Sequence, residues 1–151
     1  MQIWVDADAC PQPVKDIVYR AAERTQIMTT LVANMPLRTP PSSFIKTVQV
    51  RKGFDVADHA ILQGVQPGDL VITADIPLAA GVIKRGAHAL DPRGDLYTED
   101  NVSERLAMRN LMQELRSTGE IVGAGPPPFG SSDRQRFANQ LDRFLTRARP
   151  S

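Results

Sequence analysis

Leu70-Val71-Ile72 is an unbroken apolar run between a turn, Pro67-Gly68, and the polar close Thr73-Ala74-Asp75. A strand with one wet face alternates apolar and polar residues, whereas a continuous run suits a strand buried on both faces. A second strand is expected over 2–7, around Ile3-Trp4-Val5, and a helix after it. Pro11 and Pro13 favour that helix start, since proline is tolerated in a first turn. Val14, Ile17, Val18, Ala21 and Ala22 then recur at i, i+3, i+4, i+7 and i+8, a helical stripe. Further strands are expected over 27–33 and 44–50, with a loop holding Pro36, Pro40 and Pro41 between them. Short helices over 55–63 and 78–84 and a weaker strand over 87–90 follow, closing on Asp91-Pro92-Arg93-Gly94. Strands alternating with helices argue for an α/β fold with a mainly parallel sheet.

The last third reads as helical. Asn101-Val102-Ser103-Glu104 has capping-box character, and Leu106, Arg109, Leu111, Met112 and Leu115 carry a long helix to Gly119, a C′ residue. Residues 123–130 are Gly- and Pro-rich and read as a rigid, extended connector. A final helix is expected from near Ser132, with Phe137, Leu141, Phe144 and Leu145 packing on the domain or on a partner subunit. A chain of 151 residues fits one domain, 1–151.

Net charge is +1, so there is no bulk electrostatic signature of nucleic-acid binding. The charge is uneven: residues 1–100 hold 10 Lys and Arg against 12 Asp and Glu, and residues 101–151 hold 8 against 5. Of the 18 basic residues 14 are Arg, whose planar fork suits phosphate, although codon bias explains the same excess. Cys10 is the only cysteine, which rules out an intramolecular disulfide. No apolar run approaches the ~20 residues of a membrane span. The start lacks a basic region followed by an apolar stretch, so a cytoplasmic protein without a membrane partner is expected.

The acids carry the chemistry. Asp6 and Asp8 close the first strand, and alternate residues of a strand point the same way. Two such like charges repel unless a cation lies between them, and a hard ion such as Mg²⁺ takes carboxylate oxygens. Asp75 and Asp91 close two further strands, and Asp55 and Asp58 open the helix over 55–63. In a parallel sheet all of these lie at the carboxyl edge, where ligands bind. Each has an ordinary role as well. Asp91 before Pro92 reads first as a turn, Asp55 as an N-cap, and Asp58 as a complement to the helix dipole. Asp6, Asp8 and Asp75 are harder to explain structurally. Thr73 can orient a water or ligand through its hydroxyl. Lys84, Arg85, Arg93 and Arg109 are candidate phosphate contacts, although a solvated surface charge is the commoner role. Arg109 falls in the apolar periodicity of its helix, so a buried ion pair at the site is expected there. Cys10 reads as a small core residue beside the site, Trp4 as core, and His59 as a surface helix position.

Several stretches together resemble the YaiI/YqxD family of bacterial proteins: Asp6-Ala7-Asp8-Ala9-Cys10-Pro11, Asp55-Val56-Ala57-Asp58, and Thr73 through Ala79. Gly125-Pro126-Pro127-Pro128-Phe129, continuing through Asp133-Arg134 to Phe137, and Asn101 with Arg109 extend the resemblance nearly end to end. It implies a three-layer PIN-like domain, a parallel sheet flanked by helices with acids at the strand ends. Domains of that kind are typically Mg²⁺- or Mn²⁺-dependent nucleases, often acting on RNA. The acids of such a site correspond to Asp6, with Asp8 beside it, Asp58 and Asp75, with Asp91 as a further candidate.

Three functions are therefore open. The leading one is metal-dependent phosphodiester hydrolysis, with Asp6, Asp8, Asp58 and Asp75 holding Mg²⁺ or Mn²⁺ and RNA as the expected partner. An apolar strand ending Asp-x-Asp also fits a haloacid-dehalogenase-like phosphatase, with Asp6 as nucleophile. Against that, Cys10 stands where Thr or Val is usual, and Gly68-Asp69 lacks the adjacent acids. The third is a non-catalytic RNA- or protein-binding module, using the basic residues Arg134, Arg136, Arg143, Arg147 and Arg149.

Overall fold

Ile3–Asp6 (β1) lies at the centre of the sheet because both of its neighbours are strands it cannot reach by a hairpin. On one side are Thr29–Ala33 (β2) and Ile45–Gln49 (β3). On the other are Leu70–Ile72 (β4), His88–Leu90 (β5) and Leu96–Tyr97 (β6). The computed structural model describes residues 1–53, 55–120 and 127–148, and among these the strand order is β3-β2-β1-β4-β5-β6. The first five strands are parallel, and β6 returns antiparallel to β5. Val5 is in register with Leu31 of β2 and Ile72 of β4.

Parallel neighbours need crossovers, which helices supply except between β2 and β3, where residues 34–44 form a loop. Gln12–Thr25 (α1) links β1 to β2, Val56–Gly64 (α2) links β3 to β4, and Ile76–Lys84 (α3) links β4 to β5. Glu99–Ser117 (α4) and Ser131–Ala148 (α5) follow β6. The continuous apolar strands now have a reason. Ile3, Val5, Leu31, Leu70 and Ile72 face α1 and α5, meeting Val14, Val18, Phe137, Leu141 and Leu145. Val32, Val71 and Ala89 face the other way, onto Ile61 of α2, Leu78 and Val82 of α3, and Val102 of α4. The expected α/β class is what forms: helices, sheet, helices. Phe137, Leu141 and Leu145 are at most 2% exposed. Burial of each contributes roughly 1.5–3 kcal/mol, which seals α5 to its own domain.

Several boundaries differ from the sequence reading; the strands expected over 27–33 and 44–50 run over 29–33 and 45–49. The first strand stops at Asp6, and Ala7–Ala9 form a 3-10 turn. Helix α3 begins at Ile76, earlier than expected, because Asp75 caps it and proline is accepted in its first turn. Helix α4 begins three residues before the expected box. Thr98 is the N-cap, its hydroxyl accepts from Asn101 N, and the Asn101 side chain accepts from Thr98 N. Asn101 is therefore the third helical residue, and its amide replaces the usual Glu or Gln. Strand β6 was not expected, since two residues carry no readable periodicity. Its turn is closed by Asp91 and needs Gly94, whose φ is +97°. A side chain at Gly94 would meet the backbone of Arg136 at 2.7 Å, so α5 docks directly on this turn. Of the proline-rich connector, 123–126 lie outside the described residues, and 127–130 have no regular structure.

No helix among the described residues is long and apolar enough to cross a membrane.

Candidate functional site

From β1 the order runs through β2 to one edge and through β4 to the other, so the carboxyl ends of β1 and β4 bound a switch-point crevice. Asp6 is the last residue of β1, and Thr73 follows β4 directly. Parallel register sets them side by side. The Thr73 hydroxyl donates to Asp6 Oδ2 at 2.9 Å, and Thr73 Oγ1 itself accepts from the backbone N–H of Asp75 at 2.9 Å. Asp75 Oδ1 in turn accepts from Leu78 N at 3.0 Å, capping α3. One buried hydroxyl thus fixes both strand-end acids.

Asp8 reaches the crevice by another route. The expectation that it shares a strand direction with Asp6 does not hold, because the strand has already ended. The 3-10 turn carries Asp8 toward β2, where Asn34 N donates to its two oxygens at 3.2 and 3.0 Å. Asp58 comes from the first turn of α2. Asp55 occupies the N-cap position of that helix, but its side chain makes no cap hydrogen bond and its φ is +61°. Aspartate is among the few residues that visit this left-handed region readily. The cap expected of Asp55 is absent, and its side chain lines the crevice.

Asp6, Asp8, Asn34, Asp55, Asp58 and Asp75 share a cleft of about 270 Å³ with Arg51 and Gly53. Size does not single this cleft out, since grooves of about 330 Å³ between α1 and α5 and about 390 Å³ beside α4 are larger. Its lining does. None of the four ion pairs among the described residues involves a cleft acid. The crowding has an electrostatic consequence. Burial raises the Asp6 carboxyl above its ordinary range, opposed by the Thr73 hydrogen bond and reinforced by Asp75 and Asp8. Partial burial, then Asp75, Asp6 and Asp55, push Asp58 up to about 7. Like charges in one crevice are relieved either by a proton or by a cation.

The donor set is entirely hard oxygen, the type that Mg²⁺ and Mn²⁺ take. Hydrogen bonds from Thr73, Asn34 and Leu78 orient Asp6, Asp8 and Asp75, an arrangement metal sites share, and each carboxylate keeps lone pairs free. The residues therefore fit a divalent ion in donor type. Among the described residues no group of three or more His, Cys, Asp or Glu is drawn close enough to hold a metal as it stands.

The other expected site residues lie elsewhere. Asp91 is taken up by its turn, accepting from Arg93 N at 2.6 Å and from the Tyr97 hydroxyl at 3.3 Å, and it does not line the cleft. Lys84 and Arg85 sit at the far end of α3 from Asp75. Nine helical residues put them about 13 Å away. Arg93 pairs with Asp133 at 3.0 Å, donates to Pro127 O and lies over the Phe129 ring, so it ties the segment before α5 to the β5–β6 turn. Arg109 is exposed, and among the described residues its side chain donates only to Asn110 Oδ1, at 3.2 Å. The buried ion pair expected there is not formed, because α4 turns only its first part into the core.

Cys10 is buried, and burial pushes its thiol up to about 12, with Asp6 adding to the shift against Lys15. It is the core residue beside the site that the sequence suggested. Asn34 and Arg51 were missed. Asn34 carried one weak signal, a polar residue ending an apolar strand at the carboxyl edge. Arg51 carried none.

The family model described as "Uncharacterized BCR, YaiI/YqxD family" matches residues 4–147. A UPF0178 protein of Aeromonas hydrophila subsp. hydrophila is 64% identical over 151 residues, all of both chains. One from Dechloromonas aromatica is 65% identical over 147 residues, 97% of each chain, and one from Yersinia pestis is 60% identical over 149 residues, 99% of this chain and 97% of that one. No solved structure matches the chain.

Proposed function

The chain belongs to the YaiI/YqxD family, and on that premise we propose that its acidic cleft is a divalent-cation site for hydrolysing phosphodiesters, with RNA as the substrate. One observation carries the reading: acids from β1, the turn after it, α2 and the end of β4 line one cleft without a cationic ion-pair partner among the described residues. Asp6, Asp8, Asp58 and Asp75 would hold Mg²⁺ or Mn²⁺, which when bound activates water and neutralises charge on a phosphoryl group. The protein's own share is positional. Thr73 holds Asp6, the Asn34 N–H holds Asp8, and the α3 cap holds Asp75. Arg51, on the wall of the same cleft, would meet a phosphate oxygen with its planar fork.

The test is incubation of pure protein with labelled single-stranded RNA, structured RNA and DNA in Mn²⁺, Mg²⁺ or EDTA. Cleavage that needs the ion and disappears in Asp75→Asn and in Asp8→Asn supports the reading. Cleavage indifferent to chelator, or surviving both substitutions, sinks it. The phosphatase alternative predicts turnover of small phosphomonoesters and a hydroxylamine-labile phosphoprotein at Asp6.

A further inference from the structure

Helix α4 is amphipathic in an unusual sense. At 100° per residue, Arg105, Met108, Arg109, Met112 and Arg116 fall in one sector about 100° wide. The helix acids Glu99, Asp100, Glu104 and Glu114 all lie outside that sector. These five residues line a groove of about 390 Å³, closed on its inner side by Ile76. Ile76 directly follows Asp75, which lines the acidic cleft, so the groove and the cleft adjoin at the α3 N-terminus.

The cations are unequal. Arg105 is engaged, pairing with Asp95 at 3.3 Å and lying over the Tyr97 ring. Arg109 and Arg116 are exposed, and neither is in an ion pair among the described residues. Beside Arg109, Met108 is 56% exposed. The three arginines are spaced about 6 and about 10 Å along the axis, a span suited to more than one phosphate. A guanidinium takes a phosphate and stacks on a base, and a thioether packs against an aromatic ring.

We propose that this α4 strip is the track for a single-stranded nucleic acid whose scissile phosphate lies in the acidic cleft. The proposal deepens the nuclease reading and rests on it for the direction of the strand. Charge complementarity selects the occupant. A second copy docked on the same face about a two-fold axis would set a strip whose charges are all positive against itself.

The test is fluorescence anisotropy of a labelled single-stranded RNA in EDTA, where binding is read without cleavage. Wild type is compared with Arg109→Glu plus Arg116→Glu, and with Lys84→Glu plus Arg85→Glu, which changes the same charge at the far end of α3. The strip variant is expected to bind at least about 10-fold more weakly, with a salt dependence shallower by about 1.4 for the two lost contacts. The Lys84/Arg85 variant is expected to bind like wild type. Equal binding by all three, equal loss in both variants, or no binding by wild type overturns the proposal. So does a dimer, seen by sedimentation, that the strip substitutions abolish. Normal strip-dependent binding with no cleavage in Mn²⁺ leaves the track standing and overturns the nuclease reading alone.

Discussion

The Thr73 hydroxyl donates to Asp6 Oδ2 at 2.9 Å across the junction of β4 and β1. Because Thr73 Oγ1 also accepts from Asp75 N, a 1% exposed threonine couples two acids that are 69 residues apart in the chain. Thr73→Val keeps the shape and removes both bonds. Stability is expected to fall by about 1–3 kcal/mol, the cost of stranding buried polar groups, and Mn²⁺ affinity by about 10-fold or more. Thr73→Ser should restore both. Urea denaturation and calorimetric titration check this, and a valine variant as stable as the serine one would contradict it.

The acidic cleft makes the metal-free protein less stable as pH rises. Asp58 has an ordinary value of 3.8 and is pushed up to about 7 in the folded chain. Between these values the folded state keeps a proton that the unfolded state has released. The stabilisation is thus complete below about pH 4 and lost as pH rises through about 7. Asp6 is shifted in the same direction. Because Asp58 is only partly buried and so partly screened by solvent, the effect expected is on the order of 1 kcal/mol. Denaturation in EDTA across this range should show the fall, and Asp58→Asn should flatten it and be the more stable protein at pH 7.5. A variant with an unchanged pH profile would remove Asp58 as its source.

A divalent ion should reverse that penalty. At an Mn²⁺ concentration of about 100 times its dissociation constant the folded state gains about 2.7 kcal/mol, which for a domain of this size raises Tm by roughly 5–10 °C. Asp8→Asn and Asp75→Asn should each lose most of the shift, whereas Asp91→Asn should keep it, since Asp91 closes the β5–β6 turn. A Tm indifferent to Mn²⁺ and Mg²⁺ at pH 7.5 would argue against a cation site.

Gly64 tests the second core. A Cβ there would lie 2.5 Å from the Trp4 ring, whose Nε1 donates to buried Asp69 at 3.1 Å. Gly64→Ala must displace the indole, with an expected loss of about 1–3 kcal/mol. Trp4 is the only tryptophan, so its emission reports the displacement directly. Unchanged emission and stability would mean that α2 shifts instead.

Much of this fold is legible in local chemistry. The apolar run Leu70–Ile72 became β4 with the expected bounds, and the stripe from Val14 to Ala22 became the buried face of α1. Gly119, at φ +77°, follows α4 as a C′ residue should. Boundaries failed where a side chain decided them. Asp75 caps α3 early, Thr98 caps α4 early, and β6 exists only because the Asp91 turn brings it onto β5.

The sequence by itself determined that acids would end apolar strands, since period and polarity are read within a few residues. Which of those acids meet was decided by the tertiary structure, through strand order and helix direction. Placing β1 against β4 brings Asp6 to Thr73 and Asp75. The return of the chain through α2 adds Asp58 and an uncapped Asp55, and the end of β2 secures Asp8 through Asn34. The same geometry leaves Asp91 in its turn and carries Lys84 and Arg85 to the other end of α3. The reason is physical: strand order follows from which apolar faces bury one another across the whole chain, and no local window contains that information.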